Sequence, residues 1–233
     1  MFTFKQFAVC QDRCAMKVGT DGVLLGAWAK VEECHRILDV GTGTGLIALM
    51  AAQRSAADIT AIDLDDGAVE QAQENVAASP WKQRIRLMAM DMRKMEVEKP
   101  DMLFDALLCN PPFFENSLKC PDAARTMARH TDTLSFDELA RSAARLLAPH
   151  GELSVVIPYD RAADMTVSAA CYGLFVSRKT VVYGVEGARP KRVLMAFARE
   201  AASCISDTLT IRDKEHQYTP EYIRLVSPFY LKM

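Results

Sequence analysis

Short apolar runs alternate with helical stretches along most of this chain, and that alternation restricts the fold more than any other feature. A strand, a helix and a further strand in succession build a parallel βα unit, and repeated units give a parallel sheet covered on both faces. "RILDV" (36–40), "DITAID" (58–63), "RIRLMAM" (84–90) and "FDALLCN" (104–110) read as strands, and "GELSVVIP" (151–158), "VSRKTVVYG" (176–184) and "KRVLMAFA" (191–198) bring the set to seven. "TGLIALMAAQRS" (44–55) and "DDGAVEQAQENVAAS" (65–79) read as helices, the second closed before Pro80. "SFDELARSAARLLAP" (135–149) is a third, with Ser135 and Glu138 at capping-box spacing. The expected fold is α/β: a doubly wound, mostly parallel seven-stranded sheet with helices on both faces.

Of the 233 residues, 50% are hydrophobic and 25% charged, enough for one sizeable core. No Gly/Ser/Pro-rich linker or charge block divides the chain, so a single domain over 1–233 is expected, with 1–35 as an N-terminal extension. No apolar run has membrane-spanning length, and "MFTFKQFAVCQDR" lacks a signal peptide's basic start and long apolar centre; the expectation is a soluble, cytoplasmic protein. Seven cysteines without C-x-x-C spacing suit reduced thiols rather than a disulfide framework or a zinc site, and no metal is expected. Residues 1–115 hold 12 Lys/Arg against 17 Asp/Glu, and residues 116–233 hold 16 against 13, so a nucleic-acid surface would be local and mostly in the second half. Oligomeric state is left open, with a monomer favoured.

The loops after parallel strands are where an open α/β sheet binds its ligands. After the first strand, Gly41, Gly43 and Gly45 form a G-x-G-x-G turn into a helix, which lets backbone approach a ligand closely. A dinucleotide fingerprint wants its third glycine one position later, where this chain has Leu46, so a pyrophosphate cradle is disfavoured. Asp39, just before the turn, would repel phosphate but suits a cationic amino-acid group. Asp63 ends the second strand, where an acid can accept both hydroxyls of a ribose. Asp91 ends the third, where a carboxylate can accept from an adenine amino group. Singly, each has a plainer reading as a tight connection, a helix cap or a loop acid, and Asp65 is expected to cap its helix. Together they point to a nucleoside cofactor.

"CNPPFF" (109–114) closes the fourth strand. Pro111 and Pro112 stop it, and proline stiffness fixes where the Asn110 amide and the Pro111 carbonyl point. Two acceptors on the N–H bonds of an exocyclic amine favour the geometry its lone pair needs for attack, and an aromatic ring at Phe113 gives a planar base a surface to stack on. As a tetrapeptide alone this is a strand-ending turn; behind the cofactor series it reads as a catalytic corner.

Asp39–Gly45, Asp63, Asp91 and Asn110–Phe113 resemble the motif series of the S-adenosylmethionine-dependent methyltransferases that modify amino groups, which have a Rossmann-like fold, and the match covers most of the chain. That resemblance implies that Gly41, Gly43 and Gly45 lie under S-adenosyl-L-methionine, that Asp63 holds its ribose and Asp91 its adenine, and that Asn110, Pro111, Pro112 and Phe113 are catalytic, Asn110 also bordering the cofactor. "MKVGTDGVLLGAW" (16–28), "ASPW" (78–81) and "ARPKRVLMAF" (188–197) resemble the bacterial tRNA adenine-N6 methyltransferases that modify the adenosine 3′ of the anticodon in a valine tRNA. This implies that Lys17, Thr20 and Asp21, in the N-terminal extension, lie near the cofactor's methionine end, a role compatible with Thr20 or Asp21 capping the helix that follows. It also makes the tRNA anticodon stem-loop the expected partner. Phe113 and Phe114, with Arg125, Arg129, Arg189, Lys191 and Arg192, are the candidate RNA contacts, since basic loops beside a pocket are what phosphates require. Singly such clusters are ordinary solvated surface.

Other classes stay open at this level. A DNA adenine methyltransferase usually carries a target-recognition region, for which little chain is left. A release-factor glutamine methyltransferase usually has a helical N-terminal domain, and about 35 residues before the first strand are too few for one. An rRNA adenine enzyme, a small-molecule N-methyltransferase and a non-enzymatic RNA-binding protein are the remaining alternatives.

Overall fold

A computed structural model describes residues 1–14, 17–99, 101–111 and 134–232. Among these, a short hairpin of β1 (Phe2–Thr3) and β2 (Ala8–Val9) precedes α1 (Thr20–Trp28), and the βα series then begins. It runs β3 (Arg36–Val40), α2 (Leu46–Arg54), β4 (Asp58–Asp63), α3 (Asp66–Ala77), β5 (Ile85–Ala89), α4 (Met92–Glu98) and β6 (Phe104–Cys109). The second half holds α5 (Phe136–Leu146), β7 (Leu147–Pro158), α6 (Ala162–Cys171), β8 (Phe175–Val185), β9 (Arg192–Ala198), β10 (Ile205–Arg212) and α7 (Pro220–Val226).

The main sheet has the order β10-β8-β9-β7-β6-β3-β4-β5, and β9 alone runs against its neighbours. The mostly parallel, doubly wound architecture is as expected, with an eighth strand, β10, added at the edge. "ISDTLTIR" escaped notice because its first four positions are exposed and carry mostly polar side chains, so no apolar run marks it. Helix α5 ends at Leu146 rather than 149, because residues from Leu147 onward pair with β6, with a register shift between Phe104 and Ala106.

Strand residues alternate between two apolar layers, as period-2 geometry requires. Ile37, Ala61, Ala106, Leu108 and Leu194 face a cluster with α1, α2 and α7; Leu38, Ile62, Leu107, Val193 and Phe197 face one with α4, α5 and α6. Helix α1 lies close on α2, since a Cβ at Gly26 would fall 2.7 Å from Met50 Sδ. Trp28 ties α1 to β8, donating to Thr180 Oγ1 at 2.8 Å under the Arg178 guanidinium, 3.6 Å from the indole centroid. The C-terminal aromatic segment packs on the domain: Phe229 is buried and Tyr230 stacks on Phe4. No helix among the described residues is long and apolar enough to cross a membrane.

Sheet order places the chemistry. Strand β3 has β4 on one side and β6 on the other, so the chain reverses its direction of travel across the sheet between β5 and β6. The crevice outside the carboxyl ends of β3 and β6 is the switch point at which such sheets bind ligands.

Candidate active site

The turn after β3 is built on left-handed backbone. Gly41, Gly43 and Gly45 have φ of 69°, 54° and 81°, a region that L side chains enter at a cost. Gly41 and Thr42 both donate to the Ile62 carbonyl at 2.9 Å, Gly43 donates to Asp63 Oδ2 at 2.8 Å, and Gly45 forms the N-cap of α2. A Cβ on Gly41 or Gly43 would meet nothing within 4 Å, whereas one on Gly45 would reach Ala72 Cβ at 3.4 Å. The first two glycines therefore border open space, and the third packs against α3.

Asp39 lies beneath this turn with no exposed surface. Its Oδ2 accepts from Thr42 Oγ1 at 2.6 Å and from the Ala48 amide at 3.1 Å, while its Oδ1 is buried without a partner. Burial pushes the carboxyl up to about 7; the two hydrogen bonds oppose this and the nearby Asp63 charge adds to it. A buried carboxylate oxygen lacking a donor is a costly feature unless a ligand supplies one. Open space at two glycines, and an orphan carboxylate oxygen in the residue just before the turn, fit a ligand with a cationic or N–H-rich end.

Asp63, at the end of β4, is half-buried and also accepts from the Asp65 amide at 3.1 Å, so the turn and the following helix fix its carboxylate. Asp65 caps α3 as expected, accepting from Gly67 N at 2.9 Å. Asp91 caps α4, accepting from Arg93 N at 2.8 Å, and the Arg93 guanidinium forks onto it. Neither Thr20 nor Asp21 caps α1: Gly19 holds that position, and Asp21 instead pairs with Arg192 Nε at 2.7 Å. Lys17 and Thr20 are exposed just ahead of it.

Asn110 follows Cys109, and Cys109 is the register partner of Val40, so the corner after β6 stands beside the start of the glycine turn. Asn110 is half-buried and Pro111 buried. Cys109 is buried and its thiol is pushed well above the usual range by that burial, with Asp39 and Asp63 adding to it, so it stays a neutral thiol. Pro112, Phe113, Phe114, Arg125 and Arg129 lie outside the described residues.

The turn from β8 to β9 lies along the same edge of the sheet, two strands beyond β6 on the side away from β4 and β5. Arg189 and Lys191 are exposed on it, while Arg192 is held by Asp21 and the Lys191 carbonyl. The glycine turn, Asp63 and Asp91 thus occupy one half of the edge, the basic turn the other, and Asn110 the boundary. Among the described residues no group of three or more His, Cys, Asp or Glu is placed to hold a metal ion.

Two positioning residues went unread in the sequence. Asn75 on α3 donates to both the Cys10 and Thr44 carbonyls and accepts from Cys10 N at 2.8 Å, and Gln71 accepts from the amides of Asp12 and Arg13. They hold residues 10–13 of the extension against the cofactor-side helix and bring buried Cys14 near Asp63 and Asp65, whose charges, after burial, raise its thiol. The available signal was two polar side chains four residues apart on a helix face otherwise made of Ala68, Val69, Ala72 and Val76.

A family model described as methyltransferase small domain matches residues 18–170. A protein of Phocaeicola vulgatus named tRNA1(Val) (adenine(37)-N6)-methyltransferase is 54% identical over 100% of this chain and 98% of its own length. One of the same name from Bacteroides fragilis is 47% identical over 100% and 98%. Among solved structures, a predicted O-methyltransferase from Agrobacterium tumefaciens superposes with a TM-score of 0.68 at 22% identity, covering 90% of this chain and 96% of that one, a likeness of fold.

Proposed function

The chain belongs to the methyltransferase small domain family, and from that premise we propose how it works: it moves a methyl group from S-adenosylmethionine to the N6 amine of an adenine in tRNA, held by Asn110 and the Pro111 carbonyl. The full-length relatives are named for adenine 37 of tRNA1(Val), and we assign the same base, in the anticodon stem-loop, as the target here. The observation that carries the mechanism is the register of Cys109 on Val40, which sets Asn110 beside the glycine turn at the switch point.

S-adenosylmethionine, when bound, supplies an electrophilic methyl group on a sulfonium centre. Gly41 and Gly43 leave room for it, the unpartnered Oδ1 of Asp39 offers an acceptor for its cationic amino group, and Asp63 and Asp91 are the acceptors for its ribose and adenine. Lys17, Thr20 and Asp21 flank its methionine end. The exocyclic amine of the target is a weak nucleophile because its lone pair is spread into the ring. Acceptors at Asn110 Oδ1 and the Pro111 carbonyl engage its two N–H bonds, direct the lone pair outward and stabilise the charge that develops. No strong base is needed, because the protonated amine formed on transfer is strongly acidic and would lose its proton to water afterwards; neutral Cys109 does not provide a base. Phe113 and Phe114 stack against a base turned out of its loop. Arg189 and Lys191, with Arg125 and Arg129, contact phosphates, while Arg192 orders the turn through Asp21. A single chain in the cytoplasm is the working form.

The test is methyl transfer from labelled S-adenosylmethionine into bulk tRNA from cells lacking this protein, followed by nucleoside analysis. Label as N6-methyladenosine in one tRNA species is expected. Label in rRNA or in a release factor instead would keep the chemistry and overturn the substrate.

A further inference from the structure

Asp91 and Glu138 belong to different helices and are joined by one side chain. Arg93 places Nε 2.9 Å from Asp91 Oδ2 and 3.0 Å from Oδ1, Nη2 2.7 Å from Oδ2, and Nη1 2.9 Å from Glu138 Oε1. Glu138 is fixed in turn by the α5 capping box, its Oε2 accepting from Ser135 N at 2.9 Å and from Ser135 Oγ at 2.8 Å. Side-chain exposures of 13%, 25% and 28% for Asp91, Arg93 and Glu138 make this a partly buried network rather than a surface ion pair.

A carboxylate has about four lone-pair positions. Three protons already point at Asp91: those of Arg93 N, Nε and Nη2. They meet it through four contacts, two at each oxygen, because the Nε proton is shared between Oδ1 and Oδ2, so the carboxylate is fixed in orientation. Partial burial acts to raise the Asp91 carboxyl, but the hydrogen bonds and charge of Arg93 outweigh it and hold it below the usual range, so the group is ionised and has no proton to donate. Hydrogen bonds from Ser135 and Arg93 likewise overcome burial at Glu138 and bring it to about 2, so the far anchor of Arg93 is a full charge.

We propose that Arg93 is a positioning residue that sets the base specificity of the cofactor pocket: its fork holds Asp91 in one orientation as an acceptor with no proton to give, matched to an amino group and opposed to an oxo group on the cofactor's purine. The inference rests on the reading above that Asp91 faces that purine. A plain helix-to-helix staple would support affinity in general; a specificity clamp governs the ratio between two bases that differ only at that position.

The experiment measures calorimetric binding of S-adenosylhomocysteine and of S-inosylhomocysteine, in which the amino group is replaced by oxygen. The intact protein is expected to prefer the adenosyl compound by at least about tenfold. Arg93→Gln is expected to reduce that preference to within about threefold, and Arg93→Lys, which keeps the charge but not the fork, to do the same should the glutamine variant fail to fold. Both compounds weakening equally, with the preference intact, would make Arg93 a staple and overturn the proposal. Absence of a preference in the intact protein, or a preference that survives Asp91→Asn, would instead overturn the placement of Asp91 on the purine.

Discussion

Gly43 donates its backbone N–H to Asp63 Oδ2 at 2.8 Å, which makes the glycine turn and the second-strand acid one unit. Asp63→Ala removes that anchor and the one to the Asp65 amide, each about 1 kcal/mol of local order. Affinity for S-adenosylhomocysteine is expected to fall at least about tenfold while the rate at saturating cofactor and tRNA changes only a few-fold. Calorimetry and saturation kinetics on the same preparation check this; unchanged affinity would remove the ribose assignment.

The glycines should separate binding from stability. Gly43→Ala carries the left-handed penalty of about 1–2 kcal/mol and projects its methyl into open space at the turn. Gly45→Ala carries the same penalty but packs its methyl on Ala72. Similar losses in melting temperature are expected, with a much larger loss of cofactor affinity for Gly43→Ala. Equal affinities in the two variants would place the cofactor elsewhere.

In the proposed mechanism Asn110 acts on the acceptor amine. Asn110→Ala should bind S-adenosylhomocysteine within a few-fold of the unaltered protein and transfer methyl groups about 10²–10³-fold more slowly. Single-turnover rates with a pre-bound tRNA are the measurement, and a loss confined to cofactor affinity would reverse the assignment.

Asp39 makes stability depend on pH. Its ordinary value is 3.8 and its folded value about 7, raised chiefly by burial. Because the folded value is the higher, its contribution to stability is complete below about pH 4 and fades as pH rises through 7. Without cofactor, thermal melts of the unaltered protein should lose several kcal/mol over that window relative to Asp39→Asn, and S-adenosylhomocysteine at pH 8 should restore part of it. Parallel pH profiles for the two proteins would contradict a buried, unpaired carboxylate.

Arg189 and Lys191 are exposed, whereas Arg192 is already paired. Replacing the first two by glutamine should weaken tRNA binding and lower the slope of log affinity against log salt by about one per contact removed. Arg192→Gln should lower melting temperature more than the salt slope. Filter binding across a salt series reads the slope, and thermal melts of the same variants read the stability.

The parallel strands, the glycine turn, the capping box at Ser135 and the stop at Pro111 were legible in the sequence because each depends on residues a few positions apart: hydrophobic period, turn conformation and the missing proline N–H are local properties. The acids at strand ends were legible for the same reason, since a strand end is a local feature. Partnership was not. That Arg93 reaches Glu138, that Arg192 is spent on Asp21, and that Asn75 ties Cys10 to Thr44 all join residues tens to more than a hundred positions apart, and the burial that leaves one Asp39 oxygen unpaired comes from packing rather than from its local bonds to Thr42 and Ala48. Such contacts follow from the sheet order, which places β6 beside β3 and β9 beside β7, and no local pattern encodes that order. Local pattern was enough to say which residues lie at the carboxyl ends of the strands. Tertiary packing decided which of them arrive there with an acceptor or a charge still unsatisfied, because burial and long-range pairing, rather than residue type, set what a polar group has left to offer.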